Sequence, residues 1–107
     1  MLDDFDYINA LIPFYEKLLT ERQQEIIKYY YYEDLSLTEI AENLNISRNV
    51  VYDTIKKTNA LLSNYEKLLH LKKDSDERCE LLRKRLDHCD DEGKKILKEL
   101  ISKEEEI

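Results

Sequence analysis

Polar and cationic side chains recur between residues 47 and 57 at a spacing that places them on one side of a helix. Arg48, Tyr52 and Lys56 stand four residues apart, so they share a face if this stretch is helical. Such cations can contact phosphate or guanine, and a tyrosine can stack on a base. The chemistry that this face suggests is nucleic-acid binding, and the candidate contact residues are Ser47, Arg48, Asn49, Tyr52, Asp53, Lys56 and Lys57.

Asp53 lies in the middle of this face and keeps a second interpretation open. A carboxylate repels phosphate unless it accepts a hydrogen bond from a cytosine amino group. The alternative is therefore a protein-interaction or dimerisation module that does not bind nucleic acid.

The chain lacks the residue patterns that catalysis requires. His70 and His88 have no serine, cysteine or acid at the spacing of a nucleophile and its base. Gly93 is the only glycine, so there is no loop that could cradle a phosphate. We predict a protein that is not an enzyme, with no catalytic residues and no cofactor.

A metal site is not predicted either. Cys79 and Cys89 are ten residues apart without a CxxC pattern, and we expect them to be reduced, partly buried thiols. The acidic run 90–92 would point its carboxylates in different directions on a helix, so we interpret it as a cap and solvated surface.

The segment 36–58 contains the pattern of a helix-turn-helix. Ser36 and Glu39 form a capping box that opens the first helix. Asn45 supplies a residue that tolerates the left-handed turn, and Ser47 caps the second helix. The apolar residues that should pack the two helices together are Leu37, Ile40, Ala41, Leu44, Ile46, Val51 and Ile55.

Composition places the chain in the all-α class. Its 107 residues include one Gly and one Pro, and helix-forming residues dominate. No apolar run approaches the roughly 20 residues that span a membrane, and the acidic N-terminus has no signal-peptide pattern. We therefore expect five or six helices in a soluble, cytoplasmic protein without membrane insertion.

Charge is distributed unevenly along the chain. The net charge is −7, which argues against non-specific nucleic-acid binding. Residues 1–47 carry three basic and ten acidic side chains, whereas residues 48–73 carry six basic and two acidic ones. Residues 74–107 carry eight basic and twelve acidic side chains. All the positive excess thus falls on the proposed recognition helix, as either a phosphate-binding strip or an ordinary solvated surface.

Two helices are expected before the motif. The first should run from about 6 to 19, with a kink or restart near 9–13 caused by Pro13. Thr20 and Gln23 form a second capping box, which opens a helix from 21 to about 31 or 32. Two of the four tyrosines at 29–32 should lie near the core and two near solvent.

The motif helices should span 37–43 and 48–73, with Asp74 and Ser75 as caps for the next helix. Beyond residue 75 the apolar spacing fits either one helix to about 103 or a hairpin broken at 90–91. Gly93 in a helix interior and the capping ability of aspartate favour the hairpin, with a last helix at 92–102. We assign 1–73 as the helix-turn-helix core and 74–107 as a helical extension of the same domain.

A homodimer is expected as well. Apolar residues occupy more than one side of the 48–73 helix, and the tail carries a heptad-like seam that a small domain cannot easily cover alone. The alternative is a monomer in which the tail folds back over the long helix.

The segment from Leu19 to Leu71 resembles the YlxM-type helix-turn-helix family of bacteria. The resemblance rests on LTERQ, YYxxDLSLxEIA and SRxxVYDxIxxTxxLLxxYE, and with PFYEKLL it covers about two thirds of the chain. More distantly, region 18–58 is similar to the fourth region of bacterial sigma factors, which reads promoter DNA. Asn45 departs from the glycine usual in such motifs, and residues 74–107 match the family poorly.

This resemblance implies a function beyond what the residues show. The family is commonly encoded beside the protein of the signal recognition particle, so it implies a regulatory or accessory role in that pathway. Matched onto the recognition helix, it implies contacts from Ser47, Arg48, Asn49, Tyr52, Asp53 and Lys56. The expected partners are nucleic acid, with DNA favoured over RNA, components of the signal recognition particle, and a second copy of the chain.

Overall fold

The computed structural model describes residues 4–106, which form six α-helices and contain no strand. The all-α prediction is confirmed. The chain divides into two compact units on either side of the bond between Leu68 and Leu69. The helices are α1 (Phe5–Tyr15), α2 (Glu21–Ile27), α3 (Leu37–Leu44), α4 (Arg48–Leu69), α5 (Leu71–Leu86) and α6 (Asp91–Glu105).

Helix α1 begins at a capping aspartate and passes its proline without interruption. The Asp4 carboxylate accepts hydrogen bonds from the backbone N–H groups of Asp6 and Tyr7. Pro13 lies inside the helix with its ring exposed, and the restart considered for residues 9–13 is absent. A 3-10 turn at Glu16–Leu18 closes the segment, so the α-helix ends earlier than the predicted residue 19.

Helix α2 is opened by the predicted capping box and continues into an unpredicted π-helical turn. Thr20 and Gln23 exchange side chain-to-backbone hydrogen bonds of 2.9 and 3.2 Å. The π-helical turn spans Lys28–Tyr32 and ends with a bond from the Glu33 N–H to the Lys28 carbonyl. This wider turn buries Tyr31 and leaves Tyr32 exposed, with the tyrosines at 29 and 30 half-buried.

The residues of α1 to α4 enclose one apolar core within residues 4–68. Its members come from all four helices and are nearly inaccessible to solvent. Burial of this many large aliphatic side chains is the main stabilising contribution to this unit. The core consists of Ile8, Leu11, Ile12, Tyr15, Leu19, Ile26, Ile27, Tyr31, Ile40, Ala41, Val51, Ile55 and Leu62.

The prediction that the recognition helix reaches residue 73 is wrong. Helix α4 ends at Leu69, because His70 adopts a left-handed conformation with φ 56°. Histidine is one of the residue types enriched in that region, and it carries no glycine or proline signal in the sequence. Asp74 and Ser75, predicted as caps, instead lie inside α5, where Ser75 is buried.

The second unit is the helical hairpin that the sequence favoured. Helices α5 and α6 are separated by a break at 87–90, and the Asp90 carboxylate caps α6 through the Gly93 N–H at 2.8 Å. The Arg78 guanidinium donates to Glu104 Oε1 across the hairpin, with its Nε at 3.0 Å. Whether this unit and residues 4–68 act as one domain stays a prediction.

Candidate nucleic-acid interface

The first helix of the motif is fixed at its start by the capping box read from the sequence. Ser36 Oγ accepts from the Glu39 N–H at 3.1 Å, and Glu39 Oε1 accepts from the Ser36 N–H at the same distance. These bonds satisfy two backbone donors that a helix otherwise leaves unpaired at its N-terminus. Because the helix start is fixed, Ile40 and Ala41 are directed into the core.

The turn between α3 and α4 has the conformation that asparagine was expected to supply. Asn45 is left-handed, with φ 55° and ψ 47°, and the Ile46 N–H donates to the Ala41 carbonyl at 3.0 Å. Ser47 then caps α4, since its Oγ accepts from the Val50 N–H at 3.1 Å. The absence of glycine therefore does not prevent the tight turn that a helix-turn-helix needs.

The inner side of α4 is anchored by apolar and polar contacts. Val51, Ile55 and Leu62 are fully buried in the core. The buried Asn59 accepts a hydrogen bond from the Tyr31 hydroxyl at 3.1 Å, which connects α4 to the π-helical turn. Tyr31 thus helps to hold α4 in place.

The far half of α4 is held by a buried carboxylate that the sequence analysis missed. Glu66 Oε1 accepts a hydrogen bond from the Tyr15 hydroxyl at 2.6 Å, and the Tyr15 ring lies 5.8 Å from that of Tyr65. A buried carboxylate needs such a donor, because removal from water otherwise destabilises its charged form. One signal was present in the sequence, because Glu66 lies four residues after the inward Leu62 and so shares its side of α4.

The predicted contact residues occupy the outer side of α4 and its N-terminus. All are exposed except Tyr52, which is half-buried. We call this set the recognition face: Ser47, Arg48, Asn49, Tyr52, Asp53, Lys56 and Lys57.

The charged side chains of the recognition face form no ion pairs in the part of the chain that the structure describes. Within residues 4–106, no ion pair involves Arg48, Lys56 or Lys57, whereas Lys28 pairs with Glu16 at 3.0 Å. The three cations are therefore free to contact an external anion. Asp53 is likewise without an ion pair in the described residues, so it still opposes the approach of phosphate.

Val50 is a candidate contact residue that the sequence analysis overlooked. Its side chain is 49% exposed in the first turn of α4. The sequence contained a signal for this exposure. Val51 fills the inward position, and successive residues of a helix are rotated by about 100°, so Val50 must point away from the core. An exposed aliphatic group here suits contact with a thymine methyl.

Other sequence candidates belong to the second unit. Cys79 is buried and Cys89 half-buried, both as free thiols, and His70 and His88 are exposed. In the described part of the chain, no group of three or more His, Cys, Asp or Glu side chains could hold a metal ion. None of the described helices has the length and apolar character to cross a bilayer.

Comparison with known proteins extends the similarity over nearly the whole chain. The profile of the family described as "Putative helix-turn-helix protein, YlxM / p13 like" matches residues 2–103. This match includes the C-terminal region that was expected to match poorly. A UPF0122 protein of Oceanobacillus iheyensis is 48% identical over 84 residues, covering 78% of this chain and 80% of its own. UPF0122 proteins of Bacillus cereus and Bacillus anthracis are 42% identical over 107 residues, covering 100% of this chain and 86% of theirs.

Proposed function

Because this chain belongs to the UPF0122 family of YlxM/p13-like helix-turn-helix proteins, we propose that it is a non-enzymatic regulatory or accessory protein that binds nucleic acid through the recognition face. The observation that carries the proposal is the set of exposed cations Arg48, Lys56 and Lys57, which form no ion pair within residues 4–106. They lie on a helix whose opposite side is anchored in the core. A rigid helix with an outward cationic side is the arrangement by which a helix-turn-helix enters a groove.

DNA is the favoured nucleic acid for geometric reasons. The major groove of B-DNA admits an α-helix, whereas the major groove of an RNA duplex is too deep and narrow for side chains to read. In such a groove Arg48 would contact guanine or phosphate, and Tyr52 and Val50 would contact base surfaces. The protein would act in the cytoplasm as a homodimer, and the family resemblance proposes the signal recognition particle pathway as its setting.

The test is the double variant Arg48→Ala/Lys56→Ala. We expect binding to weaken by about 1–3 kcal/mol per lost base-reading contact, and less for a phosphate contact. The salt dependence of binding should also become shallower, because fewer counterions are released. Fluorescence anisotropy with labelled duplex DNA and RNA, measured from low to moderate salt, reports both quantities.

The matched control is Lys17→Ala/Lys67→Ala. This control lowers the net charge by the same amount as Arg48→Ala/Lys56→Ala. Both lysines are exposed, lie outside the recognition face and form no ion pair within residues 4–106. Equal losses in both double variants, or no binding by the natural chain at low salt, would refute nucleic-acid binding by this face.

Asp53 is the observation that favours the alternative function, docking on a protein. The variant Asp53→Asn separates the two. If α4 binds DNA, removing the charge should strengthen non-specific binding, or abolish a preference for cytosine at one position of the site. If α4 binds a protein instead, neither the natural chain nor the Asp53→Asn variant should bind nucleic acid. A complex with the signal recognition particle protein would then be lost in Arg48→Ala/Lys56→Ala, which supports the alternative.

A further inference from the structure

The hairpin of α5 and α6 buries little of its own apolar surface. Within residues 69–106 the only buried side chains are the small ones of Ser75 and Cys79. Leu82 and Leu86 on α5 and Leu97 on α6 are only half-buried. So small a core rarely supplies enough stabilisation by itself, and oligomerisation is one of the usual ways to add to it.

Large apolar side chains remain exposed on both helices of this unit. Leu81 on α5 is 65% exposed, and Ile96 and Leu100 on α6 are 54% and 45% exposed. Ile96 and Leu100 are four residues apart, so they form a strip along one side of α6. We call these two residues the α6 strip.

The two ends of the hairpin carry opposite charge. The loop end, residues 83–98, has six basic and four acidic side chains, a net charge of +2. The open end, residues 69–82 and 99–106, has four basic and eight acidic side chains, a net charge of −4. Two copies aligned in parallel would place like charges together, whereas an antiparallel pair places the loop end of each on the open end of the other.

We propose that the hairpin is the homodimer interface, with a second copy packed antiparallel on the α6 strip about a two-fold axis. The inference rests on the proposed homodimer and names its surface and orientation. A two-fold axis makes the contact self-complementary, so each copy supplies the same strip and both charged ends. Such a dimer carries two recognition faces and matches a DNA site with two related halves.

The first experiment removes the apolar contact. In the full chain, Ile96→Asp/Leu100→Asp should convert a dimer to a monomer, measured by light scattering on a sizing column at high micromolar concentration. Leu18→Asp is the matched control, because Leu18 is 57% exposed in the other unit and should leave the mass unchanged. A monomeric natural chain, or a strip variant that stays dimeric, overturns the proposal.

The second experiment tests the orientation. Lys95→Glu/Lys98→Glu makes the loop end negative, and Glu77→Lys/Glu99→Lys/Glu106→Lys makes the open end positive. All five side chains are exposed and none forms an ion pair within the described residues. If the dimer is antiparallel, the dimer dissociation constant of each variant alone should rise about tenfold or more, because like charges then meet.

Mixing these two variants should restore the dimer, because every contact then joins opposite charges. A parallel dimer would not be weakened by the loop-end change, so an unaffected loop-end variant overturns the orientation. Sedimentation equilibrium measures all of these masses without nucleic acid. Failure of the dimer is therefore distinguishable from failure of DNA binding, which the Arg48→Ala/Lys56→Ala variant reports separately.

Discussion

The two units of this chain are both helical, but they are stabilised differently. Residues 4–68 surround a core of fully buried isoleucines and leucines, whereas the hairpin of 69–106 buries only Ser75 and Cys79. Helix content alone therefore says little about stability, because most helical stability in proteins comes from the packing of an apolar face. The first unit is stabilised by its own apolar core, whereas the hairpin leaves its large apolar side chains half-buried or exposed.

The largest effect should come from a cavity in the first unit. Leu62→Ala should lower the free energy of unfolding by about 2–5 kcal/mol, because Leu62 is fully buried. Leu82→Ala, at a half-buried position of the hairpin, should cost about 1 kcal/mol. All eight tyrosines precede residue 69, so urea unfolding followed by tyrosine fluorescence reports the first unit alone, and circular dichroism reports both. Equal losses in the free energy of unfolding for Leu62→Ala and Leu82→Ala would contradict the expected difference between the two units.

A smaller effect should follow loss of the buried hydrogen bond between Tyr15 and Glu66. Tyr15→Phe removes the hydroxyl that donates to the carboxylate at 2.6 Å, and we expect a loss of about 1–3 kcal/mol in the free energy of unfolding. Tyr65→Phe is the control, since the Tyr65 hydroxyl has no hydrogen-bond partner within residues 4–106. Denaturant unfolding by circular dichroism should separate the two variants. A Tyr15→Phe protein as stable as the control would show that this bond contributes nothing.

The smallest effect should be a pH dependence of the hairpin. Hydrogen bonds from Arg78 and then Ser75 hold the pKa of Glu104 below its ordinary value. The folded hairpin thus binds this proton less tightly than the unfolded chain. The resulting stabilisation is complete above the ordinary glutamate pKa of about 4.3, and it is lost as the pH falls through the lower folded-state pKa.

Thermal unfolding followed by circular dichroism between neutral and acidic pH measures this dependence. Glu104→Gln should be less stable than the natural chain at neutral pH, and the difference should vanish at low pH. A difference that persists unchanged in acid would exclude the ion pair as its cause.

Left-handed backbone positions illustrate what sequence reading could and could not find. Asp34, Asn45 and His70 are the non-glycine residues with positive φ in the described range, and all are of types enriched there. Asn45 was found because it directly follows the apolar spacing of α3, which ends at Leu44, and comes just before the capping Ser47. His70 was missed because the apolar spacing of α4 runs up to Leu69, and histidine carries no glycine or proline signal that would mark the end of the helix there.

The helix-turn-helix could be predicted from the sequence alone, because its capping box, turn residue and apolar spacing are local features that act within a few residues. Which side of α4 faces outward could be predicted as well, since burial of Val51 and Ile55 fixes the rotation of the helix. The π-helical turn, the end of α4 at Leu69 and the burial of Asn59 and Glu66 became visible only in the folded structure. The burial of Asn59 and Glu66 depends on partners 28 and 51 residues away, Tyr31 and Tyr15, and no local pattern encodes contacts that form only when distant helices pack.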